Sequence, residues 1–61
     1  MVTIKLVEQP SPLNPNATIW RAYYVDESGK PSWPLYLGSE DREYLKDRVE
    51  MYLHPRPVKF V

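Results

Sequence analysis

The chain has 61 residues, no cysteine, and eight basic against eight acidic side chains, which gives a formal net charge of zero. A chain this short forms one domain and, without cysteine, gains no stability from disulfide bonds. Charge neutrality argues against a protein dedicated to nucleic acid, which is expected to carry an excess of lysine and arginine. Because no apolar run approaches the ~18 residues of a membrane span, and the first residues lack the apolar block of a secretory signal, we expect a soluble cytoplasmic protein.

The first predicted strand covers residues 2–8. Val2, Ile4 and Leu6 alternate with polar residues, which is the pattern of a strand with one face buried. Residues 9–17 follow and contain three prolines, which disfavour both helix and strand. This segment is either a plain connection or a semi-rigid surface loop of the polyproline kind that a recognition domain could bind.

The second and third strands are predicted to form a β-hairpin. Residues 18–25 and 32–37 are rich in aromatic and aliphatic side chains, and they flank a polar loop that contains one glycine. Pro31 and Pro34 cannot donate backbone hydrogen bonds. We therefore expect the third strand at an edge of the sheet.

Alternation divides these strands into two faces. In the second strand, the face with Trp20, Ala22 and Tyr24 is expected to meet a helix, since the small Ala22 leaves room for close approach. The third strand is predicted to present three large side chains to one face: Trp33, Leu35 and Leu37. We assign both Trp20 and Trp33 to the core, because a short chain without disulfides needs large buried side chains.

The helix is predicted over residues 40–53, with Ser39 as its N-cap. Its core stripe at helical spacing consists of Leu45, Val49, Tyr52 and Leu53. The helix is expected to end at Leu53, because the residue before Pro55 avoids helical geometry. Residues 58–61 predict either a short fourth strand or a tail packed along the sheet.

These elements predict a single α+β domain over residues 1–61, in the order β-β-β-α. The expected fold is an antiparallel three-stranded sheet with one helix packed on one face. A short C-terminal fourth strand would extend the sheet.

The sequence contains no arrangement of residues that indicates catalysis. His54 is the only histidine and no cysteine is present, whereas a nucleophile needs a base within hydrogen-bond reach. Gly29 and Gly38 are single glycines, so no phosphate-binding loop is indicated. We therefore expect a non-enzymatic protein with no cofactor and no metal ion.

A binding role through the sheet is the preferred interpretation. Arg21 and Tyr23 lie on the face that is predicted to point away from the helix, and both residue types are enriched at interface hot spots. Lys30 in the hairpin loop is a further candidate, as are Tyr44 and Met51 on a helix flank beside the core stripe. A protein partner or a second copy of the chain is the expected occupant, with DNA as the alternative.

The segment Ala-Tyr-Tyr-Val-Asp-Glu-Ser-Gly-Lys at residues 22–30, followed by Leu-Tyr-Leu-Gly-Ser at 35–39 and a helix, resembles the arm-type DNA-binding domain of tyrosine recombinases. In that family a three-stranded sheet backed by one helix enters the major groove. The resemblance implies DNA contacts from Arg21, Tyr23 and Lys30. This chain departs from the family in its zero net charge and its acidic helix.

A second resemblance is to the MbtH-like proteins, which bind and activate adenylation domains of peptide synthetases. Ser32-Trp33-Pro34 is similar to their Ser-x-Trp-Pro signature, and Arg56-Pro57 is similar to their closing Arg-Pro. The spacer between serine and tryptophan is absent here, as is the later Gly-Trp element. This resemblance implies a small sheet-and-helix protein that binds a larger protein.

Overall fold

The computed structural model describes residues 1–61 and contains four strands and one helix. Their order along the chain is β1 (Val2–Pro10), β2 (Thr18–Val25), β3 (Pro31–Ser39), α1 (Arg42–Leu53) and β4 (Val58–Phe60). The strands form one sheet in the order β3-β2-β1-β4. The predicted α+β fold is confirmed. Since β4 pairs with β1 in parallel and the other pairs are antiparallel, the sheet is mixed.

β1 is longer than predicted and ends at Pro10 rather than near residue 8. It pairs with β2 along its length, from Ile4 opposite Tyr24 to Pro10 opposite Thr18. A proline fits there because β4 pairs with β1 only at residues 2–4, which leaves one flank of Pro10 without a neighbouring strand. The proline-rich loop therefore covers residues 11–17.

One face of the sheet packs against α1 and forms the core. The seven buried residues come from β1, β2, β3 and α1: Ile4, Leu6, Ala22, Leu35, Leu45, Val49 and Leu53. Trp20 and Tyr24 are half-buried and pack against this cluster, so the predicted face of β2 is the one that meets the helix. The small Ala22 between them is fully buried, which is consistent with close approach of the helix.

Two basic side chains of α1 cover the borders of the core. Arg42 lies over the ring of Trp20, 5.5 Å from its centroid, and Lys46 lies over Phe60 at 5.3 Å. At these distances a cation is attracted by the aromatic face. The charged ends of these two side chains therefore cover part of each ring.

Asp41, not Ser39, is the N-cap of α1. The Asp41 carboxylate accepts hydrogen bonds from the backbone N–H groups of Glu43 and Tyr44, at 3.0 and 3.2 Å. Ser39 cannot take this role because it is still the last residue of β3, opposite Trp20. Its hydroxyl oxygen instead accepts a hydrogen bond from the N–H of Asp41, at 3.0 Å. The helix ends at Leu53, as predicted.

β3 is an edge strand, as its prolines predicted, but the assignment of Trp33 to the core was wrong. Trp33 is 76% exposed. The register shows the cause, since Ser32 and Trp33 together lie opposite a single β2 residue, Tyr24. Such a β-bulge interrupts the alternation of side chains. The alternation of side chains between the two faces of the sheet therefore does not predict the position of Trp33.

The core stripe of α1 is narrower than predicted. Leu45, Val49 and Leu53 are buried, whereas Tyr52 is 67% exposed. On a helix of 3.6 residues per turn, Tyr52 lies at one border of the stripe, about 20° from Leu45 on the side that leads to Arg48. At this border the tyrosine faces solvent beside β3 rather than the core.

Candidate functional site

Large apolar side chains are exposed on both the helix and the edge strand. Trp33 of β3 is 76% exposed and does not line a groove with α1. The others are Tyr44 at 57%, Met51 at 63% and Tyr52 at 67% exposed in α1, and Tyr36 at 89% in β3. Residues 35–37 of β3 lie opposite a single β2 residue, Ala22, and Tyr36 is the middle one of the three. This is the second place, after Ser32 and Trp33, where the pairing of the edge strand is irregular. No ladder position fixes the Tyr36 ring against a neighbouring strand.

The four side chains other than Trp33 line two adjoining grooves between β3 and α1. The first, of about 270 Å³, is lined in part by Tyr36, Leu37, Tyr44 and Arg48. The second, of about 230 Å³, is lined by Leu37, Arg48, Met51 and Tyr52. Because they share Leu37 and Arg48, we treat them as one surface, the β3–α1 groove, defined by Tyr36, Leu37, Tyr44, Arg48, Met51 and Tyr52.

Arg48 occupies the middle of this groove without a partner in the chain. It makes no side-chain hydrogen bond and no ion pair, whereas Arg42 and Lys46 both approach Glu43, at 3.5 and 3.9 Å. The helix positions three and four residues from Arg48 are its nearest neighbours on the helix surface. All four of them are apolar or aromatic: Tyr44, Leu45, Met51 and Tyr52.

The opposite face of the sheet is not covered by the helix and is called the open face. Its residues in β1, β2 and β4 are Thr3, Lys5, Val7, Gln9, Ile19, Arg21, Tyr23, Val25 and Lys59, and the register adds Pro31, Pro34 and Gly38 of β3. The Nε2 of Gln9 donates a hydrogen bond to the hydroxyl of Tyr23, at 2.7 Å. Since Lys5 is the residue opposite Tyr23, this bond directs the phenol ring diagonally along β1. Both Tyr23 and Arg21 are half-buried rather than fully exposed.

The open face carries positive charge. The pairing of β1 with β2 and β4 places Lys5, Arg21 and Lys59 on it, and no strand carboxylate accompanies them. Glu8 is opposite Trp20 and therefore lies on the helix-facing side. The neutral chain thus separates its charges in part, because five of its eight acidic residues but only three of its eight basic residues lie between residues 40 and 50, in and just before α1.

Lys30 is not on the open face but in the hairpin loop. The loop is organised by Asp26, whose carboxylate accepts hydrogen bonds from the Ser28 hydroxyl at 2.7 Å and from the N–H groups of Ser28 and Lys30 at 3.0 Å. These bonds, the one from the Ser28 hydroxyl foremost, lower the pKa of Asp26 below its ordinary value of 3.8. Gly29 supplies the positive φ of 84° that the turn requires.

His54 lies at a wide surface depression of about 430 Å³, together with Asp47, Glu50 and Met51. All four residues are exposed, and neither His54 nor the two carboxylates make a hydrogen bond. No group of three or more histidine, aspartate or glutamate side chains is close enough to hold a metal ion.

Of the five predicted binding residues, the structure brings together two pairs. Arg21 and Tyr23 share the open face, and Tyr44 and Met51 share the β3–α1 groove, while Lys30 belongs to neither. Three residues of the groove were not predicted as binding residues: Tyr36, Tyr52 and the unpaired Arg48. The spacing of Arg48 and Tyr52 with Tyr44 and Met51 along one flank of the helix was the signal for the two helix residues, whereas Tyr36, in an irregular strand, had no such signal.

No protein-family profile, curated protein sequence or solved structure matches this chain. The resemblances to recombinase arm-type domains and to MbtH-like proteins therefore stay predictions. The only helix has 12 residues and is too short and too polar to cross a membrane.

Proposed function

We propose that this protein is a non-enzymatic adaptor that binds another protein through the β3–α1 groove. The observation that carries the proposal is the exposure of four large side chains around Arg48, namely Tyr36, Tyr44, Met51 and Tyr52. None of them belongs to the buried core. Tyrosine, methionine and arginine are enriched in protein interfaces. A protein with only seven buried residues gains no folding stability from leaving these side chains in water.

The open face is a poorer surface for a protein partner or a second copy. A pairing of two open faces would bring the cations Lys5, Arg21 and Lys59 of both copies together, with no strand carboxylate to neutralise them. Pairing of two β3 edges is opposed by Pro31, Pro34 and the bulges, which are devices that protect strand edges. These features favour a different molecule in the groove over self-association.

Affinity capture with matched variants tests the proposal. The bait is the full chain, compared with a groove variant (Tyr44→Ala with Met51→Ala) and an open-face variant (Lys5→Gln with Arg21→Gln). The altered side chains are at least partly exposed, so both variants should fold. We expect one partner to be retained by the parent chain and the open-face variant and lost by the groove variant. Equal retention by all three baits would refute the role of the groove.

DNA binding through the open face is the second candidate. The observation that favours it is the set of three cations, Lys5, Arg21 and Lys59, on a sheet face without strand carboxylates. Sequence-independent affinity for DNA comes mainly from such contacts with phosphates. The resemblance to recombinase arm-type domains implies DNA contacts from three residues. Two of them, Arg21 and Tyr23, lie on the open face, whereas Lys30 lies in the hairpin loop.

The salt dependence of binding to labelled duplex DNA distinguishes this candidate. Three phosphate contacts would lose roughly 40-fold in affinity between about 50 and 200 mM salt, measured by fluorescence anisotropy. Steep salt dependence that disappears in the open-face variant would support DNA binding. Absence of binding at both salt concentrations would eliminate it.

A further inference from the structure

Arg48 differs from the other two basic residues of α1 in having no electrostatic partner. Arg42 and Lys46 each approach Glu43 and each cover an aromatic ring. Arg48 does neither. An arginine that is free of internal partners keeps its planar set of donors available for a carboxylate from another molecule.

The surroundings of Arg48 strengthen such an interaction. Its four nearest positions on the helix are apolar or aromatic, and Leu37 of β3 borders it on the sheet side. When a partner covers these side chains, water is displaced from around the guanidinium. An ion pair gains strength as the local dielectric constant falls. The same burial makes an unpaired Arg48 costly, so a partner without a matching anion is disfavoured.

The groove offers apolar contacts on both sides of Arg48. Tyr36 and Tyr44 border it on one side, and Met51 and Tyr52 on the other. A bound segment can therefore place one apolar side chain in each half while its carboxylate meets the guanidinium.

The negative charge of the neighbouring helix surface limits where a carboxylate can bind. Asp47 and Glu50 lie within two residues of Arg48 in the sequence, and both line the depression on the other side of Met51. Like charges repel an acidic segment from that depression. Arg48, on the side of the helix that faces β3, is the one cation that lines the groove.

From these observations we infer the chemistry of the partner. We propose that the β3–α1 groove recognises a segment of a partner protein in which an aspartate or glutamate side chain lies between two apolar side chains. This inference rests on the proposed function.

Selection from a phage-displayed library of random 12-residue peptides tests this inference, with the full protein as immobilised target. We expect enriched peptides to contain an acidic residue flanked within a few positions by leucine, isoleucine, phenylalanine or tryptophan. Affinities are then measured for the parent chain, for Arg48→Gln and for the matched control Arg42→Gln, which alters a cation outside the groove. Loss of a charged hydrogen-bond partner should weaken binding about tenfold or more in Arg48→Gln and less than about twofold in Arg42→Gln.

The outcomes separate this inference from the proposed function. Peptides that lose affinity in the Tyr44→Ala with Met51→Ala variant but not in Arg48→Gln would overturn the acidic requirement and leave the groove as a binding surface. Peptides that bind all variants equally would overturn both. The absence of any enriched peptide would overturn the inference alone, because affinity capture tests the groove with whole proteins. Concentration-dependent self-association that depends on Arg48 would show that a second copy occupies the groove and would also overturn the inference.

Discussion

At the scale of single residues, the stability of this protein depends on very few side chains. Leu45 is almost completely buried and belongs to a core of seven residues. Truncation of a buried leucine to alanine typically costs about 2–5 kcal/mol, and a chain of this length has about 3–9 kcal/mol in total. We expect Leu45→Ala to be partly or largely unfolded even without urea. Urea titrations followed by tryptophan fluorescence measure this loss of stability.

Met51→Ala is the matched control in the same helix. Met51 is exposed in the groove, so its truncation should change the free energy of unfolding by less than about 0.5 kcal/mol. A cost for Met51→Ala equal to that for Leu45→Ala would show that the groove residues serve the fold rather than a partner.

Asp26 should make stability depend on pH in the acidic range. Its pKa in the folded protein lies below the ordinary value of 3.8, because the Ser28 hydroxyl and loop N–H groups stabilise the carboxylate. The stabilisation is therefore fully present above pH 3.8 and is lost as the pH falls through the lowered pKa. The melting temperature of the parent chain should accordingly fall towards that of Asp26→Asn below pH 3.8.

Glu27→Gln is the control for this measurement, since Glu27 is in the same loop and makes no hydrogen bond. Its difference in melting temperature from the parent chain should not change over this pH range. A constant difference between the parent chain and Asp26→Asn would contradict the role assigned to the carboxylate.

At the scale of elements, the start of α1 depends on Asp41. Loss of an N-cap side chain typically costs about 1 kcal/mol. Asp41→Ala should therefore destabilise the protein by about that amount in urea unfolding. Glu40→Ala should have a clearly smaller effect, because Glu40 makes no hydrogen bond or ion pair. Equal effects of the two variants would mean that net charge, not capping, matters at this end.

The elements themselves were predictable because each has a local signal. Alternation marked β1 and β2, the prolines marked β3 as an edge, and the four-residue spacing of Leu45, Val49 and Leu53 marked the buried stripe of α1. The failed predictions at Trp33 and Ser39 came from the edge strand, and the one at Tyr52 came from the border of the helix stripe. Bulges arise from the pairing of two strands, so the sequence of β3 alone does not reveal that Trp33 leaves the core.

The candidate site was only partly predictable for a related reason. The helix flank with Tyr44 and Met51 followed from periodicity, but its position beside Tyr36 and Leu37 is a tertiary contact between α1 and an irregular strand. The parallel pairing of β4 with β1, which places Lys59 on the open face, is likewise nonlocal. Local patterns carry no information on either contact.

At the scale of the whole molecule, charge and apolar exposure are divided between different surfaces. The open face is cationic, α1 with the turn before it is acidic, and the β3–α1 groove is aromatic around one unpaired arginine. A zero net charge thus conceals two surfaces of opposite sign. The groove is the surface where exposed area and interface-type residues coincide.

Site-directed photo-cross-linking is the most direct measurement of where the protein binds its partner. Photoreactive p-benzoylphenylalanine replaces Tyr44 in the groove or Tyr23 on the open face, and the full chain is irradiated in a lysate of its source cells. We predict a discrete covalent adduct from position 44 and none from position 23. An adduct from position 23 alone, or from neither position, would contradict binding of a protein partner through the β3–α1 groove.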